Sequence, residues 1–215
     1  MGSADSGAEG PFSYAAIRSR DRSRGQALIE FALIVPLLMT MIMGVFEAGV
    51  ALAANIGINR AAQSGAHMAS AAGNIAGADC LILDEIERSV IVPNDRARIE
   101  SVRIELTDLS GDAIYATNTW SRSGTTRCTV SNDLTLDLPY TRQTEGYPDA
   151  QRCNVLSGCP TMTPTRATVD NIGVAVRYQH DWITPLGSLL PLHGSLDGTG
   201  WTFEQRNIFR MEPHR

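Results

Sequence analysis

From Ala27 to Ala54 the chain is almost unbroken apolar, and residues 31–46 carry no charge at all. Leu, Ile, Val and Met fall on every face of the helix this run would form, so it lacks the polar stripe of a helix that covers a soluble core. At 1.5 Å per residue the uncharged part covers roughly 24 Å and the whole stretch roughly 42 Å, against a hydrocarbon core of about 30 Å. Residues 26–54 therefore read as a membrane-spanning helix. A secretory signal fits less well, because its apolar region is about 7–15 residues long and ends at a small-residue cleavage site. Here the run is longer and continues without a break into more helix.

The pattern changes after Ala54 but stays helical. Asn59, Arg60, Gln63 and Ser64 mark a water-facing continuation over 55–78, and Gly57, Ala61, Gly65, Ala69, Gly73 and Gly77 place small residues every fourth position. Such a row lets another backbone approach closely. Asp79 then stands where it would cap a second helix, whose apolar stripe through Leu81, Ile82, Ile86 and Val90 is ended by Pro93. Strand signals come next: period-two alternation in Val102–Leu106, Ile172–Tyr178 and Trp201–Met211, and β-branched and aromatic residues in Ile114–Trp120, separated by turn-forming Ser-Gly and Asp-Gly clusters. The expected fold is α+β: a long N-terminal transmembrane helix running into a soluble one, packed on a small antiparallel sheet of about four strands. Residues 79–215 would form the domain outside the membrane. Within it 132–168, rich in Thr, Pro, Asn, Asp and Gly, reads as a long surface loop.

Charge orients the molecule. Residues 1–25 are a polar tail in which Arg18, Arg20, Arg22 and Arg24 precede the apolar run, and only Arg60 comes closely after it. The positive-inside rule keeps that tail cytoplasmic and exports the chain beyond about residue 55. All eighteen basic residues are arginine, yet the net charge is −5, which leaves no broad basic face for nucleic acid. On the exported side disulfides persist. Cys80, Cys128, Cys153 and Cys159 allow three pairings, and nearness in sequence favours Cys153 with Cys159 and Cys80 with Cys128.

Two carboxylates stand in or beside the apolar run. A charge at the bilayer centre costs about 2.5–3.5 kcal/mol on insertion scales and less near an interface, so Glu30 and Glu47 each need a partner or a wet position. Seventeen residues separate them, about 25 Å of helix, which puts them near opposite boundaries. Glu47 is expected to reach for headgroups. Glu30 has a sharper reading: cleavage after Gly25 would free an α-amino group on Gln26 one helical turn away, and each charge would then need the other, within one subunit or between neighbours. Pro36 lacks an N–H and is expected to kink or loosen the helix.

These residues carry a resemblance. Arg-Gly25 before an apolar helix, with glutamate at the fifth position after the glycine, resembles the class III leader of type IV pilins and pseudopilins. Gly25-Gln-Ala-Leu-Ile-Glu30-Phe31, then Pro36-Leu-Leu, then Gly44-Val-Phe-Glu47-Ala-Gly49, is similar to the TadE/TadG-like minor pseudopilins of the tight-adherence (Flp) pilus system. Phe31 stands where major Flp pilins typically place Tyr and suits the minor branch. The resemblance implies processing between Gly25 and Gln26 by an inner-membrane prepilin peptidase, and partnership with other pilins and the Tad secretion machinery. It implies a pilin-like single-pass protein of the cytoplasmic membrane. An uncleaved, membrane-anchored extracytoplasmic binding module is the alternative.

No catalytic residue, metal or cofactor is assigned. Cys153, Cys159, His180 and His193 would satisfy a zinc ligand count, but C-x5-C spacing and scattered histidines are not a zinc pattern. His180 beside Asp181 could orient a catalytic pair, yet no G-x-S-x-G, P-loop or H-E-x-x-H accompanies it.

Overall fold

The computed structural model describes residues 15–108, 110–112, 114–131, 134–154, 169–185 and 200–211, and of 15–24 the backbone alone. Helix α1 spans Ala15–Ala72 and passes through Pro36 without interruption, so the proline does not unwind it. The chain divides into two units, Met1–Val45 and Phe46–Arg215.

In the first unit the described side chains belong to α1 alone. From Leu28 to Val45 most of its large apolar side chains are exposed, Leu33 at 72% and Val45 at 75%, with Val35 and Met43 half-buried. Water is a poor solvent for such a surface, and a continuous patch of this kind marks a lipid or protein contact. Among the described residues, Gly25–Ala72 is the helix long and apolar enough to cross a membrane.

In the second unit α1 meets a core. Ala54, Ile58, Ala61, Ala62, Ala66 and Ala69 are fully or almost fully buried, a stripe in which each residue has another three or four positions away, so that it keeps to one face of the helix. Its side chains are mostly methyl groups, so the neighbours come close. A Cβ on Gly65 would lie 2.7 Å from Cγ1 of Ile86 and 3.4 Å from Cγ1 of Val174, which places α2 and the sheet directly on the helix backbone. Within α1 the row of small residues is thus a packing surface, while Gly73 and Gly77 lie beyond the helix end at Ala72.

Helix α2 (Ala78–Ser89) buries Ile82, Leu83 and Ile86. Among the described residues the strands are β1 (Ile99–Thr107), β2 (Ile114–Ser121), β3 (Thr126–Val130), β4 (Leu134–Leu138), β5 (Thr141–Glu145), β6 (Asn171–Asp181) and β7 (Gly200–Arg210). Five of them form an antiparallel sheet in the order β5-β2-β1-β6-β7, and β3 pairs with β4 separately. Val102 and Ile104 of β1 and Ile172, Val174 and Val176 of β6 join the helices in one core. β7 runs alongside α1: Gln205 donates to Asn55 Oδ1 (3.1 Å), Asn207 donates to the Asn59 carbonyl (3.1 Å), and the Phe209 ring meets His67 at 6.0 Å.

The α+β plan is as expected, with two differences. The sheet has a fifth strand, and the 132–168 segment is not a loop throughout: β4 and β5 lie inside it, and Tyr140 and Tyr147 are buried. β5 is an edge strand whose five side chains are all exposed, so no alternation betrays it. Residues 155–168 of the expected loop lie outside the described residues.

Asp79 does not cap α2. The N-cap position is Gly77, whose φ of 81° is a left-handed conformation that glycine adopts without strain, and Asp79 turns inward. One of its oxygens accepts from Asn118 Nδ2 (2.8 Å) and Trp120 Nε1 (3.0 Å), and the other from the fully buried Arg152 guanidinium. Arg152 also pairs with Asp149 at 3.1 Å, and Asp149 accepts the Gly77 N–H at 3.1 Å. Tyr147 OH and the Cys153 N–H both donate to Asp170. This polar network ties segment 147–154 to α2 and β2, and breaking one member would strand a buried charge. A disulfide, Cys80–Cys128, joins α2 to β3 with Cα atoms 6.0 Å apart, which is the favoured pairing. Cys153 is also disulfide-bonded, and its expected partner Cys159 lies outside the described residues.

This packing generates two predictions. Gly65→Val forces side-chain carbons into Ile86, an overpacking that should destabilise the domain by about 1–3 kcal/mol in denaturant melts of the detergent-solubilised protein. Unchanged stability would refute the close helix contact. Burial, opposed by Arg152 and reinforced by the Asp79 carboxylate, pushes the Asp149 carboxyl up to about 6. A carboxyl raised above its unfolded value of about 4 stabilises fully below that pH, and the contribution is lost as pH rises through the folded value. The melting temperature of Asp149→Asn minus that of the native chain should therefore climb between about pH 4 and 6. A flat difference contradicts this.

Candidate functional site

The head of the apolar run is helical and open. Gly25 is exposed, and a Cβ built on it would meet nothing within 4 Å. A glycine inside a helix costs about 1 kcal/mol relative to alanine, so the fold gives no reason for one here. One turn on, Gln26 Nε2 donates to Glu30 Oε1 at 3.1 Å. Position 26 and the Glu30 carboxylate thus share one face at the i,i+4 spacing that lets side chains meet. Phe31, next to Glu30, is 65% exposed and available to a neighbour. Pro36 is also exposed; beyond it Thr40 Oγ1 donates to the Leu37 carbonyl at 2.8 Å, a side-chain bond within the turn after the proline.

Glu47 does not reach for headgroups. It is 2% exposed and its carboxylate is enclosed by the end of β6 and the turn after it. The Ile183 N–H donates to both oxygens (3.0 and 3.2 Å) and the Thr184 N–H to Oε2 (2.9 Å). His180 Nε2 lies 3.6 Å from Oε1, within ion-pair range when protonated and beyond hydrogen-bonding distance. A buried carboxylate is tolerable when hydrogen bonds replace its hydration, and two backbone amides aimed at it do that. Glu47 therefore fastens the β6 terminus to α1. His180 faces Glu47, while its sequence neighbour Asp181 pairs with Arg98 at 3.0 Å, so the two side chains have different partners.

Ile183 and Thr184 stand 136 and 137 residues from Glu47, and a backbone donor has no residue type to recognise. Among the described residues no group of three or more His, Cys, Asp or Glu is placed to hold a metal ion.

Removing the Glu47 carboxylate leaves the Ile183 and Thr184 amides without their acceptor. In Glu47→Ala the Ile183 and Thr184 amides should exchange with solvent markedly faster by hydrogen–deuterium exchange, with β1 unaffected. Glu47→Gln, which keeps an acceptor, should lie between. Undiminished protection in the alanine variant would show that the turn is held by something else.

Comparison with known families adds one match. Residues 25–67, about a fifth of the chain, match the family model described as TadE-like protein. The match covers Gly25, Glu30, Phe31, Pro36 and Glu47 and ends inside the part of α1 that packs on the sheet. No curated protein and no solved structure matches the chain.

Proposed function

We propose that this chain is a minor pseudopilin of Tad/Flp pilus assembly, held in the inner membrane with its N-terminus cytoplasmic and its α+β domain outside. A prepilin peptidase cleaves it after Gly25, and Glu30 then registers it against other pilins and the Tad secretion machinery. The TadE-like match over 25–67 ties the chain to the Tad pilus context. The observation that carries the finer reading is the pairing of position 26 with Glu30 on one helix face. After cleavage, the new α-amino group belongs to the residue whose side chain already meets that carboxylate. In hydrocarbon an unpaired ammonium and an unpaired carboxylate are both costly, so each draws in the other. The exposed Gly25, which serves no packing purpose, is what a peptidase recognition position requires.

The alternative, an uncleaved anchored binding module, has one observation in its favour: the Gln26 amide already occupies Glu30 in the intact chain. Two variants in the native host separate the readings. Gly25→Ala should abolish the mobility shift that accompanies processing, and Glu30→Ala should leave membrane insertion intact while depressing pilus yield. Normal filaments with Glu30→Ala would remove the pairing mechanism. A chain whose size is indifferent to Gly25→Ala would favour the anchored module.

A further inference from the structure

The second unit carries an exposed apolar cluster at one end of its sheet. After β6 the chain turns through Trp182, Ile183 and Thr184, and β7 returns through Trp201, which pairs with His180. The Trp182 and Trp201 rings meet edge to face with centroids 4.9 Å apart. Ile183 is 56% exposed and Trp201 38%. On the turns of α1 that hold this segment, Phe46 and Leu52 are exposed as well. The opposite end of the sheet, where Asn171 pairs with both Thr107 and Arg210, lies up to ten residues along β6 from this cluster.

We propose that Trp182, Ile183 and Trp201 form a second membrane contact, a foot seated in the headgroup boundary of the bilayer that α1 crosses. The occupant is phospholipid, because the stretch of α1 whose Glu47 holds this segment also exposes the apolar Phe46 and Leu52. About 20 residues of helix from Gln26 bring the hydrocarbon boundary to the turn that carries Phe46 and Glu47. Tryptophan, with an apolar body and one polar N–H, is enriched at that depth. Irregular backbone is excluded from the lipid edge unless its donors are satisfied. Glu47 accepts from both amides of this turn, which removes that obstacle and accounts for a carboxylate buried at the boundary. The inference rests on the membrane-spanning part of the proposed function and on neither processing nor pilus assembly.

The test uses the full chain in phosphatidylcholine vesicles with bromine at shallow and at deep positions of the acyl chains. The native tryptophans are Trp120, Trp182 and Trp201, and Trp120 is buried. Native emission should be strongly quenched by the brominated lipid, and that quenching should be lost in Trp182→Phe/Trp201→Phe. Aqueous iodide should quench the native protein less in vesicles than in detergent. Two reporters in the double variant set the scale: Leu38→Trp in the span should be quenched by the lipid, and Tyr115→Trp at the far end of the sheet should not. If Leu38→Trp is quenched while native emission behaves like the double variant, the foot is refuted and the span stands. If neither is quenched, the span fails and the foot with it. Shielding from both lipid and iodide would mean that protein covers the patch, which also overturns the proposal.

Discussion

A carboxylate at the edge of hydrocarbon must find a partner, and α1 carries one near each boundary. Glu30 lies at the entry, exposed, and is met by the amide of Gln26 one turn before it. Glu47 lies at the exit and is satisfied within its own domain by two backbone N–H groups beside a histidine. Equal chemistry leads to opposite consequences: the enclosed acid is spent on holding β6 to the helix, and the open one remains free to bind something else. In the proposed function that something is an α-ammonium at position 26.

The same helix serves two solvents. From Leu28 to Val45 most of its large side chains are exposed, as lipid allows. From Ala54 onward one face becomes a stripe of alanines and glycine against which α2 and β6 pack at close range. The domain is locked further by the Asp79–Arg152–Asp149 cluster and the Cys80–Cys128 bridge, which fasten α2 to the sheet and to the segment after β5. β7 then lies along α1 through Asn55, Asn59 and His67.

What was legible in the sequence depended on distance. The apolar run and the four-residue row of small side chains are local patterns, and both have structural counterparts. The alternation in β1 and β6 and the β-branched and aromatic content of β2 were readable for the same reason. β5 was not, because Thr141-Arg-Gln-Thr-Glu145 exposes every side chain at a sheet edge and carries no apolar period. Asp79 looked like a helix cap because aspartate before an apolar stripe usually is one; its true partner Arg152 is 73 residues away. Glu47 looked lipid-bound because its ligands are main-chain amides beyond residue 180, invisible in composition.

The mass of the chain purified from its own host's membranes tests the central claim most directly. A species that begins at Gln26 in cells with an active prepilin peptidase, and at the original N-terminus in cells without it, is the predicted result. A full-length chain in both would contradict a role for Glu30 as the partner of a newly exposed amine.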